Sequence, residues 1–208
     1  AHFAVKSFYE DNLGPVPLPH QLSPLHFPVV DADCPLQQIM ATRRTVFFPS
    51  SAPVDNLSPK TNACEARMIA RTVQSVYRLY RQNRKPFLPH ESVGVIVPYR
   101  LQIVQVMQEI ASLGIPELNG ITVDTVERYQ GSQRDVIIYG FTVRQPYQLR
   151  FLCSQSFVEQ GTVIDRKLNV ALTRAREQLV LIGNPAILSL DEVHRRLIEE
   201  IEATTFPE

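Results

Sequence analysis

The sequence predicts an α/β domain, a parallel sheet with helices on both faces, preceded by an irregular proline-rich segment. Three observations lead there. Short apolar runs alternate with amphipathic stretches from about residue 43 onward, the order expected of βαβ units. The run Val93-Gly94-Val95-Ile96-Val97 carries no polar side chain, as in a strand buried on both faces. Nine prolines fall between Pro15 and Pro59, and proline removes backbone donors and breaks helix interiors.

Residues 1–42 therefore read as an irregular lead-in that wraps a core formed elsewhere, and residues 43–208 as the domain proper. Thr45-Val46-Phe47-Phe48 is β-branched and aromatic, which suits a short strand. Asn62-Ala63-Cys64-Glu65 has the form of a capping box. Ala66, Ile69, Ala70, Val73, Val76, Tyr77 and Tyr80 then recur at three and four and form one apolar stripe. Arg67, Arg71, Arg78 and Arg81 fall outside it, as on a solvated face. Pro98-Tyr99 ends the Val93 strand. A helix follows with Ile103, Val106, Met107, Ile110 and Leu113 inward and Gly114 placed to stop it. Further strands are predicted at Ile121–Thr125, Val136–Val143 and Leu179–Ile182. Arg144 to Gly161 reads as a polar, less regular stretch. Helices are predicted around Leu168 and from about Asp191 to Ile201. In such sheets ligands collect at the carboxyl ends of the strands, so the functional polar residues are expected there.

The 208 residues suit one domain, and 44% hydrophobic residues permit a full core. A formal net charge of zero and a pI near 7.2 exclude a globally basic protein, so any basic surface is local. Lys6, Lys60, Lys85 and Lys167 are the only lysines among 21 basic residues. Arginine suits planar, bidentate phosphate contacts. Cys34, Cys64 and Cys153 have no zinc-site spacing and read as free thiols in a reducing compartment. Neither a signal peptide nor an apolar run of membrane-crossing length is visible. The chain opens on Ala1-His2-Phe3 rather than Met, which suggests a piece of something longer.

Several chemistries are missing from the sequence. No glycine is followed by lysine, so the phosphate-cradling P-loop is absent. Leu188-Ser189-Leu190-Asp191-Glu192 superficially resembles a magnesium-holding Walker B strand, but Pro185 lies close before it and Asp191 is placed to cap the last helix. There is no Gly-x-Ser-x-Gly elbow and no Gly-x-Gly-x-x-Gly loop. His2, His20, His26, His90 and His194 fall in no recognisable triad or metal spacing.

Three segments carry positive signals. Leu168, Ala171, Leu172 and Ala175 form an i, i+3, i+4, i+7 stripe. At ~100° per residue this places Arg174 and Arg176 on opposite flanks of one helix, where they should not readily serve one phosphate together. Gln130-Gly131 follows a strand, and glycine there admits a close backbone approach to phosphate. In Pro98-Tyr99-Arg100-Leu101-Gln102 a tyrosine could stack on a base and an arginine could meet a phosphate. The structural alternative is a strand-ending proline beside a core tyrosine.

Val123-Asp124-Thr125-Val126-Glu127-Arg128-Tyr129-Gln130-Gly131 and Asp165-Arg166-Lys167-Leu168-Asn169-Val170-Ala171-Leu172-Thr173-Arg174-Ala175-Arg176 resemble motifs V and VI of superfamily 1 helicases. Pro98–Gln102 resembles the family's Pro-Tyr-x-x-Gln segment. In this order, residues 43–185 resemble the second RecA-like domain, in the branch that includes the nonsense-mediated-decay helicase. Phe8–Leu13 resembles the stretch that follows motif IV there.

The resemblance implies a RecA-like fold and a half-site for ATP and Mg2+, both held mainly by an N-terminal P-loop domain of the same protein. Arg174 would be the arginine that touches ATP, with Gln130, Gly131, Gln133 and Arg176 also facing nucleotide. Pro98, Tyr99, Arg100, Gln102 and Thr125 would line a groove for single-stranded DNA or RNA. The resemblance further implies a cytoplasmic or nuclear protein with 5′→3′ polarity, no membrane partner, and no ATP turnover by this chain alone. Two residues depart from the pattern. Gln133 stands where an acidic residue is usual, and Glu127 where Asp is common. A non-catalytic RecA-like module that binds nucleic acid or protein is the alternative.

Overall fold

Residues 27–51, 58–129, 133–153, 156–159, 162–201 and 204–207 are described by a computed structural model. In chain order the first half holds α1 (Pro35–Thr42), β1 (Thr45–Pro49), α2 (Ala63–Gln82), α3 (Pro89–Ser92), β2 (Val93–Ile96) and α4 (Arg100–Ser112). The second half holds β3 (Thr122–Asp124), β4 (Arg134–Gly140), α5 (Leu149–Leu152), β5 (Ser156–Glu159), β6 (Thr162–Asp165), α6 (Arg166–Arg174), β7 (Ala175–Gly183), α7 (Pro185–Leu188) and α8 (Glu192–Glu200). Five strands form one parallel sheet in the order β1-β7-β4-β2-β3. The arrangement is RecA-like.

Side-chain alternation along each strand divides the core into two layers. Val46 and Phe48, Val93 and Val95, Val136 and Ile138, and Val180 and Ile182 all point to one face, where α1, α2 and α4 pack through Met40, Ile69, Val73 and Val106. Phe47, Ile96, Ile137, Tyr139 and Leu181 point to the other, against Leu168 and Ala171 of α6, Leu188 of α7 and Leu197 of α8. Helix α2 starts where its cap predicts, with Asn62 Oδ1 accepting from Glu65 N at 3.2 Å. Asp191 caps α8 by accepting from His194 N at 3.1 Å. No helix among the described residues is long and apolar enough to cross a membrane.

Several expectations need correction. Part of the lead-in is not irregular. Pro35 sits in the first turn of α1, where its missing N–H costs nothing, and Leu36 and Met40 bury their side chains in the core. Residues 1–26 lie outside the described residues. On α4, Met107 points outward, 52% exposed, along with Leu101 and Val104. Strand β4 ends at Gly140 rather than Val143, because Thr142 turns into the left-handed region at φ 53°. The stretch from Arg144 to Gly161 holds a short 3-10 turn, α5 and the strand β5, which pairs antiparallel with β6.

One carboxyl group ties the ends of β1 and β4. Glu65, fully buried, accepts from Ser50 Oγ at 3.0 Å, from Asn62 Nδ2 at 3.1 Å and from Thr142 N at 2.7 Å. Ser50 follows β1 and donates its own N–H to Gly183 O of β7 at 2.8 Å. Burial pushes the Glu65 carboxyl up from 4.5 to about 8, against the pull of the Thr142 N–H, the Ser50 hydroxyl and the Asn62 amide. The folded value thus lies above the unfolded one. Folding takes up a proton between about pH 4.5 and 8, so this contribution is complete below the unfolded value and is lost as pH rises through the folded one. Urea unfolding should therefore show stability falling by up to ~1.4 kcal/mol per pH unit across that window. Glu65→Gln should flatten the slope, and an unchanged slope in the variant would exclude Glu65 as its source.

Packing is tightest under Tyr129. A Cβ built on Gly94 would lie 2.4 Å from Tyr129 Oη and 2.8 Å from Arg134 Cγ. Gly94→Ala should cost about 1–3 kcal/mol by overpacking. Adding Tyr129→Phe should recover part of it, because the nearest clashing atom is the phenol oxygen. Thermal unfolding of the single and double variants measures both effects.

Candidate functional site

Because all five strands run the same way, the sheet has a carboxyl edge and an amino edge, and the predicted site residues divide between them. Pro98 and Tyr99 follow β2 and Thr125 follows β3 at the carboxyl edge. Gln133, Arg174 and Arg176 lie at the amino edge, where Arg134 of β4 pairs with Ala175 of β7. The expectation that all of them gather at the carboxyl ends is therefore corrected. The chain itself joins the two edges. Thr125 leaves β3, its carbonyl accepts from Arg128 N at 3.1 Å and Tyr129 N at 3.2 Å to start a 3-10 turn, and β4 begins at Arg134 on the opposite edge. Tyr129 is buried in that crossing and donates its hydroxyl to Thr122 O at 2.8 Å. Burial raises its phenol to about 12, so it stays a neutral donor. Gln130 and Gly131 lie outside the described residues.

Arg174 and Arg176 do not share a helix. Arg174 is the last residue of α6 and Arg176 the second of β7, so the helical-wheel argument holds for neither as a pair. Arg176 is committed to the fold. Its Nη1 meets Asp135 Oδ1 at 3.1 Å, and Tyr80 donates to the other oxygen of the same carboxylate at 3.0 Å. Arg176 Nη2 also reaches Gln133 O at 3.4 Å. Burial, then the Asp135 carboxylate, pushes the Tyr80 phenol upward and keeps it a donor. Arg174 differs. Half-buried, it has no ion-pair partner among the described residues. Its Nε is buried without a hydrogen-bond partner, as is Asn169 Oδ1 five residues earlier on the same helix. A buried, unsatisfied guanidinium nitrogen is costly in the isolated domain, and Arg134 Nε is buried without a hydrogen-bond partner in the same way. Gln133 is exposed, and its backbone carbonyl, rather than its side chain, holds Arg134 and Arg176.

At the carboxyl edge the five residues from Pro98 to Gln102 have unequal parts. Arg100 is exposed at the first position of α4. Gln102 does not face a groove. It is fully buried, and its amide brackets the residue that caps α2, accepting from Asn62 N at 2.7 Å and donating to Asn62 O at 3.0 Å. Pro98 is half-buried. Tyr99 is 9% exposed and stacks on Phe151, ring centroids 5.1 Å apart and planes 20° from parallel. Burial pushes its phenol upward, and its oxygen accepts from Gln148 Nε2 at 3.3 Å. Thr125 is half-buried.

Sequence reasoning missed Gln148, which organises this edge. Its Oε1 accepts from Arg144 N at 2.8 Å and Gln145 N at 2.9 Å, and its Nε2 donates to Pro59 O at 2.7 Å. The available signal was Pro146 after Gln145, which marks the start of a short turn of helix. Sequence spacing also hid the approach of Cys153, Asp191 and His194, whose ligand-type atoms lie within 4.8 Å of one another. Asp191 Oδ2 is already engaged there by His194 N at 3.1 Å and His194 Nδ1 at 2.7 Å, which makes the cluster a helix cap.

Comparison with known proteins agrees with these motifs. The family described as "AAA domain" matches residues 1–186. "Putative helicase MOV-10" of Gallus gallus is 30% identical over 142 residues, 66% of this chain and 14% of that protein. "ATP-dependent helicase upf1" of Schizosaccharomyces pombe is 29% identical over 197 residues, 91% of this chain and 19% of that protein. The chain thus spans less than a fifth of either relative. The C-terminal domain of a possible DNA helicase from Lactobacillus plantarum superposes with a TM-score of 0.38 at 12% identity, covering 73% of this chain and 81% of that one, a likeness too loose to argue from. With its motifs in order on a RecA-like sheet, the chain belongs to the AAA domain family and is a C-terminal superfamily 1 helicase domain of the nonsense-mediated-decay-helicase branch.

Proposed function

We propose that this chain is the second motor domain of an ATP-dependent nucleic-acid helicase and that Arg174 completes an ATP site built mainly by a P-loop domain of the same protein. The observation that carries the reading is the contrast between two arginines at the junction of α6 and β7. Arg176 is locked to Asp135, whereas Arg174, at the end of a family motif, has an unsatisfied buried Nε and no ion pair among the described residues. The absence of any Gly-Lys pair in this chain is consistent with the phosphates and Mg2+ being held elsewhere.

ATP in the closed cleft supplies the phosphoryl group whose transfer to water drives the cycle. Toward it, Arg174 presents a fixed cation at the domain surface and stabilises charge that develops on the transferring oxygens. The exposed Gln133 lies on the same edge, and Gln130 and Gly131, outside the described residues, are assigned to the nucleotide by the motif alone. As a glutamine, Gln133 hydrogen-bonds there but adds no charge. At the opposite edge Arg100 and Thr125 meet the phosphates of a single strand, with Pro98 and Tyr99 shaping the surface beneath it. Gln102 acts as a positioning residue through Asn62. The crossing from Thr125 to Arg134 is the physical link between strand and nucleotide.

The test is Arg174→Ala in the full-length protein. ATP turnover should fall by ~10³–10⁵ while single-strand affinity stays essentially unchanged. Equal turnover in variant and wild type removes the assignment. The 208-residue chain assayed alone should show no ATP hydrolysis with or without single-stranded DNA or RNA. Clear strand-stimulated turnover by that chain would mean that a complete ATP site exists within it.

A further inference from the structure

Beside Tyr99 a cavity of about 270 Å³ opens at the carboxyl edge, lined by Pro59, Lys60, Tyr99, Tyr147, Gln148 and Phe151. We propose that this cavity is a nucleobase pocket in which Phe151 and Tyr147, rather than Tyr99, stack on an unpaired base of the bound strand. The proposal rests on the strand-binding reading of Pro98–Gln102 and assigns residues outside it.

Tyr99 is 9% exposed, with Phe151 stacked nearly parallel upon it. Its π-face is therefore largely covered, and it serves as the floor. Phe151 is 45% exposed and Tyr147 61% exposed, which is unusual for large aromatic side chains on a short, well-tethered turn. Gln148 between them is 3% exposed and bonds to Pro59 O, Arg144 N and Gln145 N, so the aromatic pair stands on a fixed base. Preorganised aromatic faces lose little entropy when a ring stacks on them, and such stacking tolerates any base. The volume lies just below the ~300–1,000 Å³ of pockets for drug-sized ligands, a size suited to one flat heterocycle. The charge also fits. Lys60 lines the cavity, Arg100 and Arg150 are exposed on the residues next to Tyr99 and Phe151, and among the described residues no carboxylate lines the cavity. Phosphates flanking an inserted base would meet cations on both sides.

The experiment titrates the 208-residue chain with two labelled 12-mers, oligo-dT and an abasic strand of the same phosphate count, by fluorescence anisotropy at low salt. Wild type should prefer oligo-dT by about tenfold. Phe151→Ala and Tyr147→Ala should each remove most of that preference and leave affinity for the abasic strand unchanged. Tyr147 is largely solvent-facing and Phe151 about half so, and circular dichroism checks that the variants fold. The chain contains no tryptophan, so Phe151→Trp adds a clean reporter that oligo-dT should quench and the abasic strand should not. If both alanine variants keep the wild-type preference, the pocket assignment is overturned while the groove reading stands. If wild type binds neither strand, the groove reading fails with it. If a decaproline peptide binds in a Tyr147-dependent way while oligo-dT shows no preference, the cavity is a peptide site and the proposal is overturned.

Discussion

The buried carboxyl of Glu65 is the constraint on which the carboxyl edge depends. It sits where the first turn of α2 meets the ends of β1 and β4, and it bonds to a group from each: Asn62, Ser50 and Thr142. Thr142 adopts φ 53°, a conformation that a β-branched residue avoids and that costs of order 1–3 kcal/mol. Its N–H pointing at Glu65 is what holds it there. That turn directs the chain away from β4 toward Gln148 and Phe151. Gln102 locks Asn62 from the other side, so the cap of α2, the bend after β4 and the start of α4 form one hydrogen-bonded unit.

The second organising feature is the separation of roles between the two edges of a single sheet. Arg174 and Arg176, proposed to face nucleotide or to brace it, lie at the amino edge, and the residues proposed to meet a strand lie at the carboxyl edge. Each connection of a parallel sheet crosses between the edges, and the one from β3 to β4 carries the motif V resemblance. Arg176 and Arg174, two positions apart, have different environments because one begins β7 and the other ends α6. Arg176 helps hold β4, β7 and Tyr80 of α2 together through Asp135, and Arg174 has no ion pair among the described residues.

Much of this was legible in the sequence because the signals were local and periodic. The capping box at Asn62, the stop at Gly114, the cap at Asp191 and the unbroken Val93 run each report on their own neighbourhood, and each element lies where they place it. What escaped depends on contacts distant in sequence. Met107 fits a helical stripe but faces outward because α4 buries a narrow face. Arg176 continues a helical pattern but belongs to β7, since pairing with β4 outweighs local helix preference. Gln102 and Gln148 look like ordinary polar residues and are buried clamps, and only their partners at Asn62 and Pro59 reveal it. The family motifs located the candidate site residues, but not which edge each would occupy.

The crossing beneath Tyr129 has a mechanical consequence. Its phenol ring lies over Gly94 with no space to spare, a methyl group there already being too large, and its hydroxyl is fastened to the first residue of β3. A part seated so closely behaves as a strut rather than a spring. The ring thereby fastens the start of β3 to the start of β4, whose Arg134 guanidinium lies 5.5 Å from its centroid, and makes one fixed corner of the sheet.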